Sequence, residues 1–260
     1  MLIGAMNHPM RDVVAEIRRF RDLGFDFVDL TLEPEKARPD RLAAASIETV
    51  LRETGLGAVG HTAWYLPIAS PFERVRQSAL DEITVCLDLF ARLAVERVNL
   101  HPDQRVPSLF PREWVVQRNV DSLRILLERA RERRLQLMLE NIPGPFNQVE
   151  PLRGVFDAVP ELGWHLDVGH ANLGSPANVT PLLLEAFSAR LRHVHFSDNK
   201  GGDADLHLPL GVGLIDWRWA VGQLKQHRYD DTITLEVFVP DDDYLVMSQR
   251  KLRRLWDETE

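Results

Sequence analysis

A chain of 260 residues with 45% hydrophobic and 27% charged residues has an ordinary globular composition, with enough apolar material for a sizeable core. Its formal net charge of −8 repels the nucleic-acid backbone at long range. Binding of nucleic acid would therefore need a local basic patch, which no segment strongly supplies, and the absence of an apolar run of about 18 residues predicts no membrane span.

Eight short apolar runs alternate along the chain with eight longer amphipathic segments. The runs predict strands over residues 2–6, 25–32, 58–62, 97–101, 136–140, 163–167, 192–196 and 232–237. The amphipathic segments predict helices over residues 10–23, 40–54, 71–93, 112–133, 149–159, 180–188, 217–226 and 242–257. We also expect two long loops, over residues 141–148 and 199–215.

A strand followed by a helix, repeated eight times, predicts a parallel sheet with helices packed on it. About 250 residues suit closure of such a sheet into a single (β/α)8 barrel, so residues 1–260 are predicted to form one domain. An open doubly wound sheet is the competing fold, but no glycine-rich dinucleotide fingerprint follows the first strand.

The third predicted helix contains Cys86, the only cysteine of the chain. It lies within an apolar helical pattern, which predicts a small buried hydrophobe rather than a nucleophile. A single cysteine excludes an internal disulfide, and the N-terminal segment lacks the pattern of a signal peptide. We therefore expect a cytoplasmic location, while the sequence leaves the oligomeric state open.

Residue types that bind metals recur at the ends of the predicted strands. They are His61, His101, Glu140, Asp167, His170, His195, Asp205, His207 and Glu236. Each alone is more often a cap, a salt-bridge partner or a surface residue. Barrel closure would gather them at one mouth, where buried carboxylates need positive charge. Histidine and carboxylate donors suit Zn2+ or Mn2+, with Mg2+ a further candidate, and the lack of thiolates argues against a structural zinc cage.

Strand alternation sharpens the choice among the remaining histidines. His193 and His195 point to the same face, and His195 lies nearer the C-terminal end, so His195 is the predicted ligand and His193 a supporting residue. His165 is expected one pleat below Asp167. His8 has no supporting context and is predicted to be structural or on the surface, as is His227.

At these residues the chain resembles the xylose isomerase-like barrel superfamily, which contains sugar isomerases and epimerases, inosose dehydratases and endonuclease IV. The resemblance covers essentially the whole length. The matching segments are Leu-Glu-Asn at 139–141, Leu-Asp-Val-Gly-His at 166–170, His-Val-His-Phe-Ser-Asp at 193–198, His-Leu-Pro-Leu-Gly-Val-Gly at 207–213 and Leu-Glu at 235–236. Each is short, but their order and spacing carry the resemblance.

The resemblance implies two sets of ligands. The isomerases of the family typically hold one metal with Glu, Asp, His and Glu, which match Glu140, Asp167, His195 and Glu236. The endonuclease IV branch holds three zinc ions with nine ligands. The extra positions are also filled here, by His61, His101, His170, Asp205 and His207. The resemblance therefore implies between one and three metal ions.

Two chemistries follow. The first is isomerisation or epimerisation of a small sugar or sugar phosphate, with Glu140 and Glu236 moving a proton and the metal polarising the carbonyl. We predict that Trp64, Tyr65 and Phe238 form an apolar wall against the sugar, and that Lys200 contacts a phosphate or carboxylate of the substrate. The alternative is hydrolysis of a phosphoester by two or three metals. A barrel that binds sugar without turnover fits less well, because the ligand set is complete.

Overall fold

The computed structural model describes residues 1–259 and contains eight strands and eight α-helices in strict alternation. The strands are β1 (Leu2–Met6), β2 (Phe27–Leu32), β3 (Gly57–Thr62), β4 (Arg97–Leu100), β5 (Gln136–Glu140), β6 (Gly163–Asp167), β7 (Leu191–Phe196) and β8 (Thr232–Leu235). The helices are α1 (Val13–Asp22), α2 (Ala44–Thr54), α3 (Glu73–Arg92), α4 (Arg112–Glu132), α5 (Val149–Ala158), α6 (Thr180–Phe187), α7 (Trp217–Gln226) and α8 (Asp242–Glu258).

Every strand pairs in parallel with the next, and β8 pairs with β1, so the sheet closes into a barrel. The predicted (β/α)8 fold is confirmed. The register places Glu140 beside His165, and Asp167 beside His195. Because parallel strands all end at the same rim, residues in these last positions come together at the C-terminal mouth. Among the described helices, none has the length and apolar character needed to span a bilayer.

Most element boundaries differ from the sequence prediction by only one to three residues. The largest difference is at α2, which begins at Ala44 rather than at residue 40. Residues 38–42 form a turn in which the N–H groups of Arg41 and Leu42 donate to the carbonyl of Arg38, and Ala43 has extended backbone, so the connection from β2 runs on to residue 43. The long loop expected over residues 199–215 lies between β7 and α7. Residues 101–111 form another long connection, which contains Pro102 and Pro107. The predicted elements left residues 102–111 between them, but we did not name this segment among the long loops.

The barrel interior is mostly polar above an apolar base. Outward-facing strand residues such as Trp164 and Leu166 pack beneath the helices, as the alternation of a strand requires. Inside, Phe27, Val59 and Met138 form a small separate cluster of buried side chains. The positions above them hold buried polar side chains instead of the branched apolar ones usual in such barrels. They are Asp29, Thr31, His61, Asn99, Glu140, His165, Asp167, His193, His195, Thr232 and Thr234.

The close approach of β1 and β2 requires glycine at position 4. A Cβ atom on Gly4 would lie 2.3 Å from the ring of Phe27, which is itself buried against His193. We expect Gly4→Ala to lower the free energy of unfolding by about 1–3 kcal/mol, because the ring must be displaced from a packed position. Gly57→Ala is the control, since its Cβ would meet only Phe27 Cβ at 3.6 Å. Urea unfolding of both variants measures the effect, and equal stabilities would contradict it.

Candidate metal centre

The C-terminal mouth contains a pocket of about 630 Å3. Seven of the nine predicted ligands line it, namely His61, His101, Glu140, His170, Asp205, His207 and Glu236. The other two, Asp167 and His195, are fully buried. They contact the lining, because His195 Nδ1 lies 3.2 Å from Glu236 Oε2 and 3.8 Å from Asp167 Oδ2. The fold therefore brings all nine residues together, as strand-end placement predicted.

The donors form overlapping groups that share carboxylates. His61, His101 and Glu140 make one group and Glu140, Asp167 and His170 a second, each with donor atoms within 4.8 Å of one another. Glu140 belongs to both, with Oε2 3.0 Å from His101 Nε2 and Oε1 3.1 Å from His170 Nδ1. Its two oxygens thus face different histidines, which is the arrangement of a bridging ligand.

A third group joins Asp167 to His195 and Glu236. A fourth set of contacts lies nearer solvent, where Asp205 Oδ2 is 3.0 Å from His170 Nε2 and 3.2 Å from His207 Nε2. The side chain of Asp205 is 28% exposed, whereas Asp167 is fully buried. The groups therefore run from the barrel interior toward the mouth, linked through Glu140, Asp167 and His170.

The outermost donors depend on the loop between β7 and α7. Asp198, fully buried at the start of this loop, accepts hydrogen bonds from the backbone N–H groups of Asn199, Gly211 and Ile215 and from Trp217 Nε1. Asp198 also pairs with Leu208 through two backbone hydrogen bonds of 2.8 and 2.9 Å. Through these contacts Asp198 holds the two ends of the loop segment that contains Asp205 and His207, two of the residues that line the pocket.

Buried nitrogen and oxygen atoms without hydrogen-bond partners are one test of whether the site suits a cation. Within residues 1–259 several atoms of the predicted ligands have no such partner. They are His61 Nε2, His101 Nδ1, Asp167 Oδ2 and His207 Nδ1, among others. Each buried polar atom without a partner costs roughly 1–3 kcal/mol. Thr31 Oγ1 lies 3.2 Å from His61 Nδ1, so the Nε2 atom is the one directed toward Glu140. Imidazole nitrogens and carboxylate oxygens in this arrangement fit a divalent cation.

Burial and neighbouring charges shift the pKa values of these donors strongly. Burial raises the pKa of Asp167 to about 7, although the charge of His170 opposes the shift. Burial alone would lower the pKa of His207, but Glu236 and Asp205 outweigh it and raise the pKa to about 9. For His195, burial is outweighed by hydrogen bonds to Asp29 and Glu236, so its pKa lies well above the usual value. Neighbouring carboxylates thus favour the protonated form of His195 and His207, whereas burial lowers the pKa of His101.

The structure also places residues for which we predicted no role. Asn99, on β4, donates a hydrogen bond to Glu140 Oε2. Asn141 clamps β5 to β6, because its Nδ2 donates to the carbonyl of Asp167 and its Oδ1 accepts from the Asp167 N–H, both at 2.9 Å. His8, predicted to be structural or on the surface, lines the pocket together with Glu33. A polar residue within an apolar strand run was the available signal for Asn99.

Asp29 is another fully buried residue for which we predicted no role. It lies on β2 with no exposed surface, and its Oδ2 atom contacts His193, His195 and Thr234. His193 lies below His195 and is fully buried, in the supporting position that alternation predicted. A charged residue amid the apolar run Phe-Val-Asp-Leu was a signal that could have indicated Asp29.

The residues expected to contact substrate divide into two pairs. Trp64 and Phe238 line the pocket. Tyr65 packs its ring edge-on against Trp64 with centroids 5.8 Å apart, and lies outside the lining of the described pocket. Lys200 is exposed on the loop after β7 and likewise does not line it.

Fold and site together define a (β/α)8 barrel protein whose mouth gathers histidine and carboxylate donors. The model of the family described as xylose isomerase-like TIM barrel matches residues 17–255, and the chain belongs to this family. The predicted resemblance is confirmed.

Two curated relatives match part of the chain. An uncharacterized protein of Methanocaldococcus jannaschii is 31% identical over 184 residues, which cover 65% of this chain and 59% of the relative. A probable endonuclease 4 of Thermosipho melanesiensis is 26% identical over 192 residues, covering 66% of this chain and 65% of the relative. The chain thus matches less than two thirds of the length of each.

Solved structures match over nearly the full length. A D-tagatose 3-epimerase-like protein superimposes with a TM-score of 0.87 at 24% identity, covering 99% of this chain and 97% of the other. The TTHB071 protein from Thermus thermophilus, from a crystal soaked with ZnCl2, has a TM-score of 0.78 at 26% identity, and both chains are covered completely. Other neighbours with the same fold are sugar epimerases.

Proposed function

We propose that this protein is a metal-dependent isomerase or epimerase of a small sugar or sugar phosphate. The observation that carries the proposal is the placement of two glutamates around a buried Asp–His pair. Glu140, Asp167, His195 and Glu236 come from four consecutive strands, so the glutamates flank the pair on either side. Both glutamates also line the pocket and can reach a molecule bound there.

These four residues would hold one divalent cation, for which Zn2+ and Mn2+ are the best suited. When bound, the cation would supply the positive charge that polarises the substrate carbonyl. The titratable groups of the chain then carry out the proton transfer. One glutamate removes the proton from the carbon next to the carbonyl, and the C–H electron pair forms a carbon–carbon double bond while the π pair of the carbonyl moves onto its oxygen. The other glutamate returns a proton to the opposite face of that carbon, which inverts its configuration.

The walls of the pocket suit a small polyhydroxylated molecule. Its volume of about 630 Å3 lies within the range typical of small-molecule sites. Trp64 and Phe238 offer apolar faces for the C–H surface of a sugar, while His8, Glu33 and Gln104 offer polar groups for its hydroxyls. Apolar walls combined with a few polar groups fix the orientation of a small molecule in its site. Sugar epimerases among the neighbours with the same fold also favour this proposal.

A second candidate is hydrolysis of a phosphoester by two or three metal ions. It is favoured by the donors beyond the four-residue set, because His61 and His101 converge on Glu140, while Asp205 bridges His170 and His207. Clustered cations would neutralise the attacking and leaving oxygens of a phosphoryl group. The relative named probable endonuclease 4 favours this candidate too. The acidic charge of the chain disfavours a DNA substrate.

One experiment separates these candidates. The purified protein is loaded with Zn2+ or Mn2+, its metal is counted by elemental analysis, and it is assayed in D2O with ketoses, aldoses and their phosphates. Parallel assays use a chromogenic phosphodiester and abasic-site DNA.

We expect a single tightly held metal to suffice, and solvent deuterium to enter the carbon that is epimerised. Close to three metals with phosphoester cleavage and no deuterium exchange would establish the second candidate instead. Bound metal and sugar without any turnover would contradict both, and would indicate a sugar-binding barrel.

A further inference from the structure

Asp29 projects into the centre of the barrel from β2, across from β7 and β8. Its Oδ2 atom lies 2.7 Å from His195 Nε2, 2.8 Å from Thr234 Oγ1 and 3.2 Å from His193 Nε2. An ionised carboxylate can only accept hydrogen bonds, so His195 and Thr234 donate to it, while His193 Nε2 also lies 3.0 Å from Thr234 Oγ1. One oxygen of Asp29 thus fixes the orientation of side chains on two other strands.

The contact with Asp29 determines which nitrogen of His195 is free. An imidazole has two ring nitrogens, and the hydrogen bond made by one sets the role of the other. Because Nε2 carries the proton donated to Asp29, Nδ1 is left to face the carboxylates of the site. That atom lies 3.2 Å from Glu236 Oε2 and 3.8 Å from Asp167 Oδ2. The ring therefore presents Nδ1 to the position where these two carboxylates converge.

We infer that Asp29 is the positioning residue of the metal centre, which fixes the tautomer and ring orientation of His195 so that Nδ1 is the metal-binding atom. This inference rests on the proposed metal site. Carboxylates that accept the second N–H of a metal-binding histidine raise its basicity and hold its ring, and their loss typically lowers metal affinity about 10- to 100-fold.

A purely structural role accounts less well for Asp29. Burying a carboxylate is expensive unless it is paired, and an apolar side chain of similar size would fill the space without that penalty. Its supporting contacts are also arranged to hold the carboxylate still. Thr234 donates to the same oxygen of Asp29. The far side of the His193 ring is also held, because its Nδ1 lies 2.8 Å from Thr232 Oγ1. The network therefore ends in a rigid acceptor pointed at His195.

The test compares Asp29→Asn with Thr234→Val in the same buried network. Both variants keep the side-chain shape and remove one polar feature, but only the first removes the carboxylate from His195. Zinc affinity is measured by competition with a chromophoric chelator, and the stability of the zinc-free protein by urea unfolding. We expect Asp29→Asn to weaken zinc binding about 10- to 100-fold, and Thr234→Val to leave it within about threefold. Equal losses of affinity in the two variants would overturn the inference.

A second measurement is made on the wild-type protein, so it does not depend on whether a variant at position 29 folds. Two-bond 1H–15N correlations of the zinc-loaded wild-type protein report which nitrogen of His195 carries the proton, with the signal assigned by its disappearance in His195→Gln. We expect a proton on Nε2 and zinc on Nδ1. The reverse assignment would overturn the inference even if Asp29→Asn cannot be purified. If the wild-type protein binds no zinc, the proposed function fails; if it binds zinc and Asp29→Asn binds equally well, only the role of Asp29 fails.

Discussion

Glu236→Gln should lower kcat for epimerisation by about 10²- to 10⁴-fold, the contribution usual for a positioned proton-transfer group. The carboxamide keeps the size of the side chain but cannot take up the proton from carbon. Glu236 also lies 3.2 Å from His195 Nδ1 and 3.6 Å from His207 Nδ1, so weaker metal binding is expected as well. Initial rates are therefore measured at saturating metal, with the bound metal determined in parallel.

Glu33→Gln is the matched control for this prediction. Glu33 is a third glutamate in the lining of the same pocket, besides Glu140 and Glu236, and its Oε1 accepts a hydrogen bond from Thr31 Oγ1 at 2.9 Å. It lies outside the groups of converging donors found in the described chain. Glu33→Gln should alter KM more than kcat. A full rate in Glu236→Gln with metal bound, or an equal fall of kcat in both variants, would refute the proton-transfer role.

Asp198→Ala is expected to destabilise the metal-free protein by about 3–5 kcal/mol. It removes the acceptor of four N–H groups, and a buried donor left without a partner costs roughly 1–3 kcal/mol, part of which water entering the site recovers. The loop that carries Asp205 and His207 should loosen in the same variant. Urea unfolding in the presence of a chelator measures the first effect, and zinc titration the second.

A control for Asp198 is available at the other end of the same loop. Asp216 caps α7, and its Oδ1 accepts from the backbone N–H of Trp219 at 3.1 Å. Asp216→Ala should cost only about 1 kcal/mol, as the loss of a helix cap usually does. It should also leave zinc binding by the outer donors unchanged. If the two variants lose the same stability, the loop does not depend on Asp198 in the way described.

The fold was predictable because its signals are local. Apolar runs such as Gln-Leu-Met-Leu-Glu, separated by amphipathic helices, specify a βα unit wherever they occur, and eight units in 260 residues leave few ways to close the sheet. Boundaries were less certain where a turn precedes a helix, as at α2, where a turn over residues 38–42 and the extended Ala43 delay the start of the helix. The amphipathic pattern does not distinguish such a turn from the first turn of the helix.

The gathering of Glu140, Asp167, His195 and Glu236 was predictable for the same reason. Each lies at or next to the C-terminal end of its strand, and closure of the barrel places all such ends at one rim. The contact of Asp29 with His195 joins residues 166 positions apart on strands that are not neighbours in the sheet. Strand alternation gives the direction of each side chain, but not which one it meets across the barrel. Tyr65 and Lys200 lie outside the pocket lining because loop conformation, rather than periodicity, sets where they point.

The cluster of Phe27, Val59 and Met138 lies in the barrel interior below the polar residues, and all three side chains are buried. Under the proposed function a cation and a sugar would both enter from the pocket at the C-terminal mouth, because these buried apolar side chains offer no polar groups at the other end. A molecule bound in the pocket would then block the exit of a cation held by the more deeply buried Asp167 and His195. Removal of the metal by a chelator should accordingly be slower when substrate is bound than when the pocket is empty.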